Sequence, residues 1–205
     1  SGSWDPALLR AFGVPRRCLP EILPTTRPGI PLPFGPVVQT TIADQAASLL
    51  GATGGEQGSA LVNFGTGTFV LRSMGTGWRP KSGYLAGPIL SRPGDSSWFA
   101  LEGTINAGGA VADRFAPRSP RPSPLTPDPS PLSFCIPDDA GVGAPHWLAD
   151  RRMMFSDAAQ ALPPARKRRI VLEGIFFRVR EILEGMGGIG SVRDILLAGG
   201  LCRDP

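Results

Sequence analysis

Cysteine is scarce in this chain and irregularly spaced. Cys18, Cys135 and Cys202 are odd in number, far apart and without a Cys-x-x-Cys spacing. That excludes a disulfide framework and a structural zinc site, and it reads as a reduced, cytoplasmic protein. Histidine is rarer still, with His146 alone in Ala-Pro-His-Trp. A metal or catalytic role for it would need partners that the neighbouring sequence lacks, so it reads as a packed or surface imidazole. No apolar run reaches the roughly 18–20 residues of a membrane span, because glycine, proline or charge interrupts each one. The opening Ser-Gly-Ser-Trp-Asp is neither basic nor apolar, which argues against a signal peptide. No internal repeat is found.

What is present is ordinary for a globular domain: 205 residues, 41% hydrophobic and 19% charged. The formal charge of +4 invites a nucleic-acid partner, yet the basic residues are dispersed. Their one dense run, Arg166-Lys167-Arg168-Arg169, opens a helical pattern without interleaved aromatics. It reads as a solvated helix turn, so neither nucleic acid nor membrane is expected as a partner.

Strand and helix patterns alternate along the chain. Residues 4–13 predict a short helix with Asp5 as cap, Pro6 in its first turn and Gly13 at its exit. Seven prolines between 14 and 36 predict extended, loop-like chain. Val37–Ile42 reads as a buried strand leading into a short helix over Gln45–Leu50. Ser59–Phe64 and Thr68–Ser73 read as a hairpin around Gly65-Thr66-Gly67. A strand over Trp98–Leu101 and a glycine-rich helix over Ala107–Phe115 follow. Between 117 and 131 every second or third residue is proline, which neither pairs in a sheet nor continues a helix. The clearest helix is 166–186, where Leu172, Ile175, Phe176, Val179, Ile182, Leu183 and Met186 form one stripe. A strand over Asp194–Ala198 then feeds Gly199-Gly200. The alternation predicts an α/β layered fold.

Two segments carry chemistry. Asp44 and Gln45 set a carboxylate beside an amide at a helix start, and Gly65-Thr66-Gly67 sets a hydroxyl in a glycine turn. A carboxylate takes a proton from an alcohol, and a glycine turn brings backbone N–H groups against phosphate oxygens. Together they suggest phosphoryl transfer to a hydroxyl. From spacing alone, Asp44 is a helix N-cap and the glycine turn a plain hairpin turn. Glu102 and Glu173 lie inside apolar segments and read as structural.

Six blocks in one order resemble the FGGY carbohydrate kinases, in their glycerol-kinase-like branch. They are W-D-P-A-L-L-R-A-F-G-V-P-R-R-C-L-P (4–20), I-A-D-Q-A-A-S-L-L-G with N-F-G-T-G-T-F (42–69), F-A-L-E-G-T-I-N-A-G-G-A (99–110), G-V-G-A-P-H-W (141–147), V-L-E-G-I-F-F-R-V-R-E-I-L-E-G-M (171–186) and I-L-L-A-G-G-L (195–201). The resemblance implies an actin-like ATPase (ribonuclease-H-like) domain. Residues 1–30 would be a linker from the end of a preceding kinase domain. Residues 31–205 would be the C-terminal domain, incomplete at its end, with 116–133 a proline-rich insertion. The implied activity is ATP-dependent phosphorylation of a polyol or sugar hydroxyl, with this chain alone expected to be inactive because no Asp-x-Gly-Thr phosphate loop is present.

In that reading Asp44 is the general base and binds substrate with Gln45. Gly65 and Thr66 cradle the β- and γ-phosphates of ATP, Gly109 lies near the phosphates, and Gly199 and Gly200 lie against the adenosine. Mg²⁺ accompanies the nucleotide, and no residue is assigned as its ligand. Two departures from the family pattern, Asp113 and Asp204 in place of amides, would repel phosphate. The alternatives are a non-catalytic kinase-homologue module that self-associates, forming a homo-oligomer, and a proline-rich interaction protein acting through 117–131.

Overall fold

The computed structural model describes residues 3–77, 79–117 and 132–203, so most of the proline-rich interval and Asp204 lie outside the described residues. Helix α1, Pro6–Ala11, begins as its sequence predicts. Asp5 Oδ1 accepts from the N–H groups of Ala7 and Leu8, and Pro6 occupies the first turn.

The proline-rich stretch that follows is not all loop. Strand β1, Thr26–Pro31, pairs antiparallel with β2, Val37–Thr40, as a separate two-stranded ribbon. The expectation of a buried strand over Val37–Ile42 is therefore corrected. Val37 and Ile42 are exposed, because β2 pairs with β1 apart from the main sheet and ends before Ile42.

The main sheet has five strands in the order β5-β6-β4-β3-β9. They are β3 (Ala60–Phe64), β4 (Thr68–Gly75), β5 (Leu85–Leu90), β6 (Trp98–Ile105) and β9 (Ile195–Gly199). The first four are antiparallel neighbours, and β9 joins parallel to β3. Two short strands, β7 (Cys135–Ile136) and β8 (Met154–Phe155), make a separate pair.

Both faces of the sheet are covered, as expected for an α/β protein. Because strand side chains alternate, Ala60, Val62, Phe64, Val70, Leu101 and Ile105 point to one face. Helix α5, Pro164–Gly185, lies there and inserts Ile170, Val171, Ile175, Val179, Ile182 and Leu183. Leu61, Leu71 and Ala100 point to the other face, against Ala46 and Leu49 of α2, Asp44–Thr53. Burial of this apolar surface is the main stabilising term, at about 25 cal/mol per Å². Helix α3, Gly109–Asp113, and helix α4, Asp157–Gln160, complete the layer beside α5.

One buried charge anchors the end of α5. The Arg72 guanidinium, on β4, donates to the carbonyls of Met186 and Ser191 and to the Ser191 hydroxyl. These bonds use carbonyls that a helix end otherwise leaves without partners. Burial lowers the Arg72 pKa from its ordinary value.

Candidate active site

Three glycine segments meet at one end of the main sheet. β6 and β9 run in the same direction as β3, so Phe64, Ile105 and Gly199 finish at the same edge. In open α/β sheets this carboxyl-terminal edge is where ligands bind. Gly65-Thr66-Gly67 links β3 to β4 as a tight turn, with the Gly65 N–H donating to the Gly67 carbonyl at 2.9 Å. Gly65 and Thr66 are exposed. Buried Thr68 donates its hydroxyl to the Ala107 carbonyl at 2.8 Å, which ties the turn to the β6–α3 connection.

The approach is too close for side chains. A Cβ on Gly108 would stand 2.6 Å from the Thr66 carbonyl oxygen and nearer still to that of Gly65. Gly199 has φ +96° and lies opposite Phe64, where a Cβ would fall 2.8 Å from the Phe64 nitrogen. Gly65, Thr66, Gly108 and Gly199 thus meet at one glycine-lined edge, with Gly109 and Gly200 next in the chain, although their segments are far apart in sequence.

The carboxylate and amide sit on the α2 face of the sheet. Ala43 is the N-cap of α2, and Asp44 is its first residue, so the capping position predicted for Asp44 is shifted by one. The Asp44 Oδ1 still accepts from the Gln45 N–H at 2.8 Å, and Asp44 is exposed. Gln45 is half-buried, and its Oε1 is buried without a hydrogen-bond partner among the described residues. A buried carbonyl oxygen in that state costs about 1–3 kcal/mol, and a hydroxyl donor placed there would offset it.

Sequence reasoning missed a third group on this face. Glu102 projects from β6 between Leu71 of β4 and Leu85 of β5. Burial and, secondly, the charge of Asp44 raise its carboxyl pKa above the ordinary value. The available signal was an acidic residue interrupting the alternation of a strand otherwise apolar on that face.

Asp113, expected to repel phosphate, has a cationic partner in the fold. Arg168 of α5 pairs with its carboxylate at 3.2 Å, which offsets part of that charge. Two more members of the 166–169 run act within the molecule, since Lys167 lies over the Phe155 ring and Arg169 pairs with Glu173. His146 is exposed and bonds Glu181 at 2.7 Å, a surface imidazole. Buried Cys135 has its thiol pKa pushed up to about 12, by burial first and by Asp138 second, so it stays protonated. Among the described residues no group of three or more His, Cys, Asp or Glu is placed to hold a metal ion. No helix among them is long and apolar enough to cross a membrane.

Comparison with known proteins agrees with this geometry. A model of the FGGY family of carbohydrate kinases, C-terminal domain, matches residues 60–205. A glycerol kinase of Acidiphilium cryptum is 30% identical over 206 residues, covering 93% of this chain and 41% of the relative. A glycerol kinase of Alkalilimnicola ehrlichii is 31% identical over 218 residues, covering 98% and 43%. The chain thus spans less than half the length of these curated relatives. Among solved structures, a Plasmodium falciparum glycerol kinase with ADP superposes with a TM-score of 0.76 at 19% identity, over 98% of this chain and 44% of that one. A ligand-bound xylulose kinase from Lactobacillus acidophilus gives 0.74 at 20% identity, with the same coverage. The fold is that of the actin-like ATPases to which these sugar kinases belong.

Proposed function

The chain belongs to the FGGY family of carbohydrate kinases, and we propose that it serves transfer of the ATP γ-phosphoryl group to a hydroxyl of a small polyol, glycerol foremost. The observation that carries this is the pairing of exposed Asp44 with the unpartnered Oε1 of Gln45. An alcohol between them has a carboxylate to accept its proton and an amide oxygen to accept a second hydroxyl of a polyol. The glycine-lined edge suits the triphosphate, since backbone can approach it without side-chain interference. Mg²⁺ would enter on the phosphate oxygens, which it favours as a hard cation, and would neutralise charge there. Gly199 and Gly200 would face the adenosine, and Gly109 the phosphates. A cytoplasmic location fits this substrate chemistry.

Calorimetric titration of ATP with Mg²⁺ into the protein tests the nucleotide half. Saturable binding is expected, weakened about tenfold or more by Thr66→Ala, which removes a hydrogen bond to a charged group. Gly108→Ala should weaken it at least as much by displacing the Gly65–Gly67 turn. Equal binding by all three proteins would defeat the assignment of this edge to phosphate.

A second reading, a non-catalytic module that self-associates, has one observation in its favour. On the α5 face, Phe176, Ile195 and Leu197 are 52%, 40% and 58% exposed. Apolar side chains clustered on one face mark association surfaces. If this face pairs copies of the chain, sedimentation should show a concentration-dependent dimer that Leu197→Glu abolishes. A wild-type monomer at high micromolar concentration would remove that reading.

A further inference from the structure

We propose that Asn106 is a positioning residue of the glycine-lined edge: it fastens the end of β6 to residues 138–141 and so fixes the Gly108 backbone against the Gly65-Thr66-Gly67 turn. The inference rests on the phosphoryl-transfer reading above for what the edge binds. The clamp itself rests on hydrogen bonds alone.

Asn106 is half-buried and follows the last residue of β6. Its backbone N–H donates to Asp138 Oδ1 at 3.2 Å, and its carbonyl accepts from the Asp139 N–H at 3.1 Å. Its side-chain Nδ2 donates to the carbonyls of Ala140 at 3.2 Å and Gly141 at 2.7 Å. Backbone and side chain thus grip the same short stretch. That stretch is firmly seated. Asp138 is fully buried, accepts from the Gly143 N–H at 3.0 Å and receives Arg178 Nε from α5 at 3.2 Å. The Ala144 N–H donates to the Thr104 carbonyl at 2.9 Å, and a Cβ on Gly143 would collide with that same carbonyl. Asn106 is therefore bound to chain that is itself anchored on β6 and on α5.

The residues that follow Asn106 belong to the edge. The Ala107 carbonyl accepts from the Thr68 hydroxyl at 2.8 Å, and a Cβ on Gly108 would collide with the Gly65 and Thr66 carbonyls. Ala107-Gly108 is thus held to the turn by Thr68 and to 138–141 through Asn106. Glycine has the widest conformational freedom of any residue, so the approach of Gly108 to the turn depends on how its neighbours are fixed. A binding constellation works when its groups are held within about 0.5 Å of their places. The pair between Arg114, just past α3, and Asp139 at 2.8 Å adds a second grip from the same stretch. Both of its side chains are well exposed, which makes it the weaker of the two.

The test compares Asn106→Ala with wild type by nitrogen-15 NMR and by titration with ATP and Mg²⁺. Asn106 reaches the turn through Gly108, so the amide resonances of Gly65 and Gly67 should shift in the variant. Unmoved turn amides would overturn the proposal. Affinity for ATP should fall about tenfold, the worth of one hydrogen bond to a charged group. Adenosine, followed by NMR, should bind as it does to wild type, because Gly199 and Gly200 are carried at the end of β9. Equal losses for ATP and adenosine would mark a general defect of the fold and overturn the positioning role. Asn106→Ser keeps a hydroxyl donor at that position and should recover part of the affinity. It also serves if Asn106→Ala fails to fold, with the same turn amides as its readout. Displaced turn amides in a chain whose wild type binds no ATP would sink the phosphate reading and leave the clamp established. Equal ATP binding by wild type and Asn106→Ala would overturn the clamp and leave that reading intact.

Discussion

Arg178→Met is expected to destabilise the protein by about 3–5 kcal/mol, enough to unfold a marginally stable domain. Arg178 of α5 is nearly buried, and its Nε donates at 3.2 Å to Asp138 Oδ2, whose side chain is fully enclosed. Its Nη2 donates to the Ala144 carbonyl at 2.6 Å, and its Nη1 pairs with Glu181. The other Asp138 oxygen accepts from the N–H groups of Asn106 and Gly143. One guanidinium therefore joins α5 to the loop beyond β7 and, through Asp138, to the end of β6. Methionine fills a similar volume but leaves Asp138 as a buried, uncompensated anion, which is the costly outcome. Urea unfolding monitored by circular dichroism measures the loss. The double variant Arg178→Met with Asp138→Asn should recover much of it, since the stranded charge is gone. A loss below 1 kcal/mol in the single variant would show that water reaches the pair.

Asp44→Asn is the second large effect, expected to lower kcat roughly 10²- to 10⁴-fold, the range of a lost general base. Asparagine keeps the shape at the start of α2 and still offers an oxygen to the Gln45 N–H, so the helix should persist. The binding of ATP on the glycine-lined edge should be unaffected. Coupled measurement of ADP release with glycerol, set beside ATP calorimetry, separates the two. A variant that keeps its turnover would place the base elsewhere. Loss of ATP affinity in step with turnover would instead mean that the helix start supports the phosphate edge.

Local pattern carried much of this. The β3–β4 hairpin around Gly65-Thr66-Gly67 was readable because alternation and a glycine turn are properties of neighbouring residues. The α5 stripe was readable for the same reason, and the helix begins two residues before the predicted run and ends one before it. Its one misfit is Phe176, which belongs to the stripe by spacing yet is half exposed. Period alone tells which side chains share a face, but not how far the neighbouring layer extends over that face. The ribbon β1–β2 failed differently. Apolar Val37-Val38 looked like a buried strand, and only the pairing partner decides whether such a strand is covered.

The sequence by itself therefore determined the alternating α/β elements, the glycine turn and the helix that opens with Asp44-Gln45. Each depends on hydrogen bonds and burial patterns within a few residues. Tertiary structure alone decided what meets what. Strand order brought Gly65, Gly108 and Gly199 to one edge. Packing against α5 set Arg168 on Asp113 and Arg178 on Asp138. The packing of α2 on that face brought the charge of Asp44 to bear on Glu102, which an acidic residue in an apolar strand only hinted at. Charges and backbone approaches of this kind act through space, and their distances are fixed by layer packing rather than by separation along the chain.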